Sequence, residues 1–210
     1  MDLKVIRLLT LLSGIPLCSV AQPFNAYIKF DGFGDALFID ASEVLPTESD
    51  FTVEFWFKTC TDTVYIQEAF MGNGDDLEVN FFSNPPDTHH HYDVCALEAY
   101  GSPYHCYQNH FLIDSLWHHI AVTYHYSSTD FGFFFDGHGG MVTFDDDFDL
   151  EFNGTFYIGR GDRDNWLWNH FDGSMDEVRI SNNIRYYSNF SPDTMPFTSD
   201  NHTMALWHMN

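Results

Sequence analysis

Apolar and polar positions alternate along most of this chain. Tyr27, Lys29 and Asp31 stand opposite Ile28 and Phe30. Val53, Phe55 and Phe57 share one face, and Thr52, Glu54, Trp56 and Lys58 share the other. Similar runs cover 76–82, 120–126, 131–135, 141–144, 152–158, 177–180 and 203–208. A period of two in aromatic and β-branched residues predicts half-buried strands. None of the eight prolines interrupts these runs, as hydrogen-bonded strands require. No helix-period stripe of useful length competes with them outside the first twenty residues. Many strands separated by turn residues predict an all-β, two-sheet antiparallel jelly-roll β-sandwich. A short helix or turn is expected at 188–192, before the final strand. Residues 83–110 break the pattern with prolines, three consecutive histidines and two cysteines, and read as a long loop.

The first 21 residues read differently. Lys4 and Arg7 precede an apolar run from Leu8 to Val20, and Ser19-Val20-Ala21 is a small-residue exit. This predicts a secretory leader, because the apolar run is too short to cross a bilayer. The domain then runs from 22 to 210, without an internal repeat or linker, and no later stretch is apolar enough for membrane insertion. The chain has 8 Lys and Arg against 31 Asp and Glu. Losing Asp2, Lys4 and Arg7 leaves 6 against 30, a net charge of −24. Such a surface repels nucleic acid and anionic lipid and attracts cations. Export permits disulfides, and three cysteines follow the leader: Cys60, Cys95 and Cys106. A Cys95–Cys106 bridge closing a compact loop leaves Cys60 as a free thiol; bridges from Cys60 are the alternatives.

Several segments carry a resemblance. Ala26-Tyr-Ile-Lys-Phe-Asp-Gly-Phe-Gly-Asp35 is similar to an opening strand and turn, and Asp50-Phe-Thr-Val-Glu-Phe-Trp-Phe57 to the next core strand. Leu116-Trp-His-His-Ile-Ala-Val-Thr-Tyr-His-Tyr126, Gly132-Phe-Phe-Phe-Asp-Gly137, Phe156-Tyr-Ile-Gly-Arg160 and Phe171-Asp-Gly-Ser-Met-Asp-Glu-Val-Arg-Ile-Ser181 follow in order, then Ala205-Leu-Trp-His208. Together they resemble the laminin-G-like, concanavalin A-like sandwich domains and their pentraxin relatives. The resemblance implies a secreted, non-catalytic binding module that recognises an extracellular glycan or glycoprotein.

It also implies calcium. Calcium takes about six to eight oxygens, usually from loops that curl round it. Gly72-Asn-Gly-Asp-Asp76 offers Asp75 and Asp76, and Arg160-Gly-Asp-Arg-Asp-Asn165 offers Asp162, Asp164 and Asn165. The pentraxin calcium site is built from loops at these two places, although Arg160 and Arg163 intrude here. A structural calcium in many of these sandwiches ties the first and last strands; Asp176 matches its carboxylate, and Asp31 lies in the opening turn. Turn-capping is the alternative role for both acids. Trp166 and Trp168 flank Leu167 and predict a sugar platform in the same acidic loop. Trp56, Trp117 and Trp207 fall within strands and are expected in the core.

Other chemistry reads less specifically. His89, His90, His91, Asp93, Cys95, His105, Cys106 and His110 suit zinc or copper by type but lack a fixed ligand spacing. Arg160-Gly161-Asp162 spells a tripeptide that some cell-surface receptors read. Asn153, Asn189 and Asn201 open glycosylation acceptor triplets. A glycoside hydrolase of the same superfamily is the enzymatic alternative, since retaining catalysis needs two carboxylates about 5 Å apart. Asp147-Phe-Asp-Leu-Glu151 has the alternating acids, but after the strands that should follow it, and Asp76-Leu-Glu-Val-Asn80 lacks the third acid. The expectation is therefore no enzymatic activity. A structural surface or matrix protein is the third reading.

Overall fold

A computed structural model describes residues 4–5, 26–59, 67–73, 77–83, 92–96, 105–110, 115–143, 150, 152–161 and 170–209. In chain order the strands are Lys4–Val5 (β1), Ile28–Asp31 (β2), Leu37–Asp40 (β3), Phe51–Lys58 (β4), Gln67–Gly72 (β5), Glu78–Ser83 (β6) and Tyr92–Ala96 (β7). They continue as His105–His110 (β8), His118–His125 (β9), Asp130–Phe135 (β10), His138–Thr143 (β11), Thr155–Ile158 (β12), Asp172–Ser181 (β13) and Thr203–Trp207 (β14). One sheet has the order β1-β3-β12-β5-β6-β7-β8. The other runs β11-β10-β9-β4-β13-β14, with β2 also paired to β13. All the pairs are antiparallel. The two-sheet antiparallel sandwich expected from the sequence is the fold.

The alternation explains how the sheets meet. Phe51, Val53, Phe55 and Phe57 of β4 point inward, with Ile120, Val122 and Tyr124 opposite them on β9. From the other sheet come Leu37, Ile39, Phe156 and Ile158. Phe70 of β5 bridges the layers, its ring 4.5 Å from Phe57, 5.3 Å from Phe55 and 5.1 Å from Phe171. Tilted and edge-to-face rings of this kind fill the thick interior.

The outward residues Thr52, Glu54 and Trp56 of β4 are also buried, because the segment following β13 folds back across them. Phe197 packs on Trp56, with Trp117 and Leu206 beside them. Trp56 is buried as expected, in this smaller cluster on the outer face with Trp117 partly buried beside it, whereas Trp207 packs against the main core. Under this strap Glu54 is fully buried. Its carboxylate accepts from Arg179 Nε at 2.9 Å and the Tyr186 hydroxyl at 2.8 Å, with His119 Nε2 at 3.3 Å. Arg185 holds Asp200 with two bonds, of 2.9 and 3.0 Å. Burial raises the Glu54 carboxyl, but His119, Arg179 and Tyr186 more than offset it and hold it below the usual range. Burial and the neighbouring Glu54 push the Tyr186 hydroxyl up.

Some elements differ from expectation. The stretch 83–110 contains two paired strands, β7 and β8, rather than one loop. Tyr92-Asp-Val-Cys-Ala96 does alternate, but the flanking prolines and histidines hide it. The turn-rich flanks of β3 and β5 concealed those strands too. The 188–192 stretch contains no helix. Among the described residues the one helical turn is a 3-10 segment, Ala41–Glu43, capped by Asp40, whose carboxylate accepts from Ser42 N. Lys4–Val5 pairs with Phe38 and Leu37, inside the expected leader; cleavage after Ala21 would remove it.

Candidate functional site

The two predicted loops leave neighbouring antiparallel strands in opposite directions. The register sets Tyr157 of β12 opposite Gly72 and Ile158 opposite Met71, at the ends of β5 and β12. Buried Asn73 closes the first loop: its N–H donates to Leu77 O at 2.9 Å, and its side chain accepts from Leu77 N at 3.0 Å. The second loop is closed by a β-bridge between Arg160 and His170 and by Phe171 N donating to Gly159 O at 2.9 Å. Gly159 holds φ +92, and a Cβ there would strike the Phe30 ring, so glycine is required at this exit. Asp75, Asp76, Asp162, Asp164, Asn165, Trp166 and Trp168 themselves lie outside the described residues, as do Cys60 and the His89–His91 run.

Arg160 covers the root of the second loop. Its guanidinium carbon sits 4.4 Å from the Tyr157 ring centre, and its Nε donates to Gly161 O at 2.8 Å. Burial and the adjacent Arg160 charge hold the His170 imidazole below its ordinary range.

Asp31 and Asp176 are not brought together. Asp31 stands opposite Asp172 on β13, and its Oδ1 accepts from Phe33 N at 2.8 Å, the turn-capping role. Asp176 lies four residues further along β13, roughly 13 Å at strand rise. Calcium–oxygen bonds are about 2.3–2.6 Å, so the two carboxylates do not share one ion.

Asp176 has a distinctive environment of its own. β2 pairs with Asp172–Met175 and β14 with Val178–Ser181 on the same edge of β13, so Asp176 and Glu177 occupy the gap between the first and last strands of the domain. The gap coincides with a bulge on the β4 side, and Glu177 has φ +52. Asp176 is 1% exposed. Its Oδ1 accepts from Glu177 N at 2.8 Å, while its buried Oδ2 has no partner. Burial and, to a lesser degree, the Glu177 charge push the Asp176 carboxyl up to about 7, against the lowering effects of the Glu177 N–H and His208. Glu177 accepts from Phe197 N at 2.6 Å and contacts His208 Nδ1 at 2.8 Å. Sequence reasoning found Asp176 but missed Glu177 and His208, because strand alternation does not show a bulge that turns two successive acids the same way. Among the described residues no group of three or more His, Cys, Asp and Glu side chains forms a metal-holding cluster.

The β7–β8 register sets Cys95 directly opposite Cys106. Directly opposed antiparallel residues have Cα atoms about 4.5–5.5 Å apart, within the span of a disulfide. We propose the bridge on this register. Oxidised protein should then keep these two thiols from alkylation until reduced, at a stability cost of about 2–3 kcal/mol on reduction. Ready labelling of both thiols in the folded, unreduced protein would refute it.

The chain matches the concanavalin A-like lectin/glucanases superfamily over residues 31–186. A search of curated proteins gave no match. Solved structures share the fold. A putative carbohydrate binding protein from Bacteroides ovatus is 18% identical at TM-score 0.61, covering 86% of this chain and 52% of its own. This chain thus spans about half of that protein's length. The heptameric SAP-like pentraxin from Limulus polyphemus is 13% identical at TM-score 0.57, covering 90% of this chain and 97% of its own. The sialidase CBM40 of Ruminococcus gnavus, bound to α2,3 sialyllactose, is 12% identical at TM-score 0.53, covering 77% and 92%. With the family match across most of its length and the sandwich observed, the chain belongs to the concanavalin A-like lectin/glucanase superfamily.

Proposed function

We propose that this chain is an exported, non-catalytic module that captures a glycan or glycoprotein with the help of calcium. The observation that carries the reading is the match to the concanavalin A-like lectin/glucanases superfamily over residues 31–186, together with the two-sheet antiparallel sandwich. In this reading Asp75, Asp76, Asp162 and Asp164 serve the ion, and Trp166, Trp168 and Asn165 the sugar. Similar structures support the ligand class, since one is a putative carbohydrate binding protein and another holds sialyllactose.

Asp176 is proposed to hold a second, structural calcium. A buried carboxylate oxygen without a partner suits a cation, and its place between β2 and β14 suits an ion that ties the domain's two ends. Backbone carbonyls of that gap would have to complete the shell.

A glycan array run with calcium and with chelator tests the proposal. Calcium-dependent capture is expected, and alanine at both Asp75 and Asp76 should abolish it. Thermal melting gives a second readout. Calcium at about a hundredfold over its dissociation constant should add about 2.7 kcal/mol by mass action. A flat melting response would sink both ion proposals, and no capture on the array would favour a purely structural role.

A further inference from the structure

We infer that the end of the second sheet's outer face left open by the strap binds a carboxylate-bearing sugar through Lys29, Lys58, Tyr27 and Trp117. The inference rests on the glycan-binding reading but places recognition on a different surface from the two loops.

The register builds the patch. Lys29 of β2 lies opposite Ser174 of β13, and Ser174 lies opposite Lys58 of β4. Directly opposed residues share a face, and three neighbouring strands at about 4.8 Å set the two lysine backbones roughly 10 Å apart with a serine between them. Ser174 is 6% exposed, so the two long side chains flank a low floor. Tyr27, two residues before Lys29, and Trp117, just before β9, wall the same area. Their rings are 5.6 Å apart at 69°, and the Lys58 ammonium stands 5.3 Å from both ring centres. Tyr27 and the neighbouring Leu116 remain exposed.

The charge pattern points to an anion. In a chain so rich in acids, Arg179 and Arg185 are committed to Glu54 and Asp200. Neither Lys29 nor Lys58 has a carboxylate partner among the described residues. Two like charges in one row, one of them oriented by aromatic faces, present ammonium donors to solvent at little ordering cost. The rings offer apolar surface to the C–H face of a pyranose. Asp31 and Asp172, opposite one another at the next outward row beyond Lys29 and Ser174, offer acceptors for hydroxyls. A carboxylated sugar needs all three features, whereas a neutral sugar leaves both ammonium groups unmatched.

The test is calorimetric titration of the full chain with sialyllactose, trigalacturonate and neutral lactose, the first two arms distinguishing sialate from uronate. Wild type should bind one carboxylated probe at least about tenfold tighter than lactose, and weaken with added salt. Lys29→Gln and Lys58→Gln should each lose about tenfold for that probe, and Tyr27→Ala a similar amount, with melting temperatures near wild type. These three side chains are exposed or half-exposed, so the variants should fold. Equal affinity for charged and neutral probes overturns the inference. Array-detected glycan binding that survives all three substitutions also overturns it and leaves the proposed function standing. Failure of wild type to bind any glycan overturns both.

Discussion

Arg179→Met should destabilise this domain by about 3–5 kcal/mol, the usual cost of removing one partner from a buried ion pair. The reason lies at Glu54, which is fully buried on the outer face of the second sheet. Arg179 Nη2 stands 2.8 Å from its Oε1, and the guanidinium also lies 4.3 Å over the Phe197 ring and donates to Thr198 O at 3.3 Å. Methionine keeps much of the stem but takes the nearer of two guanidinium groups away from the carboxylate. It also releases two contacts that hold the strap. The double variant Glu54→Leu, Arg179→Met should recover most of the loss, because a desolvated pair contributes less than its removal from one side costs. Urea unfolding of the two variants against wild type measures this. A single variant within about 1 kcal/mol of wild type would mean that Glu54 finds adequate partners in His119, Tyr186 and Arg185.

The same residue marks the limit of what could be read from the chain. Alternation correctly set Glu54 and Trp56 opposite Phe55 and Phe57, yet a polar outward face normally meets water. It does not here, because a segment more than a hundred residues later covers it, and no local period carries that information. Asp176 was legible from the family resemblance, and Asp31 from its place in a Gly-rich turn. Their separation follows from the β2–β13 register, which pairs Asp31 with Asp172. The row Lys29, Ser174, Lys58 was hidden for the same reason: it joins three strands distant in sequence. β7 and β8 were missed because prolines and histidines around them outweighed a short alternating run.

At pH 8 in chelator, Asp176→Asn should make the domain more stable than wild type by up to about 4 kcal/mol, and at pH 4 the two should converge. The sign follows from the carboxyl's position. Burial raises it to about 7 in the folded protein, from 3.8. The folded state therefore keeps this proton over a range where the unfolded chain has lost it. Stability from this group is complete below about pH 4 and falls as pH rises to about 7. Above that it stays at its reduced level. Asparagine has no such charge to bury, so the difference between variant and wild type isolates this group from the many other acids. Glu177 and His208, in contact with one another beside it, stay common to both proteins. Calcium should narrow the difference. An ion on the ionised Asp176 would stabilise wild type at pH 8 by more than the variant, which keeps only the loop acids. Denaturant unfolding at the two pH values, with calcium and with chelator, gives all four comparisons. If wild type and variant run parallel across pH in chelator, the buried carboxyl is not raised. If calcium lifts both equally, the ion lies elsewhere, with the acids of the two loops as the next place to look.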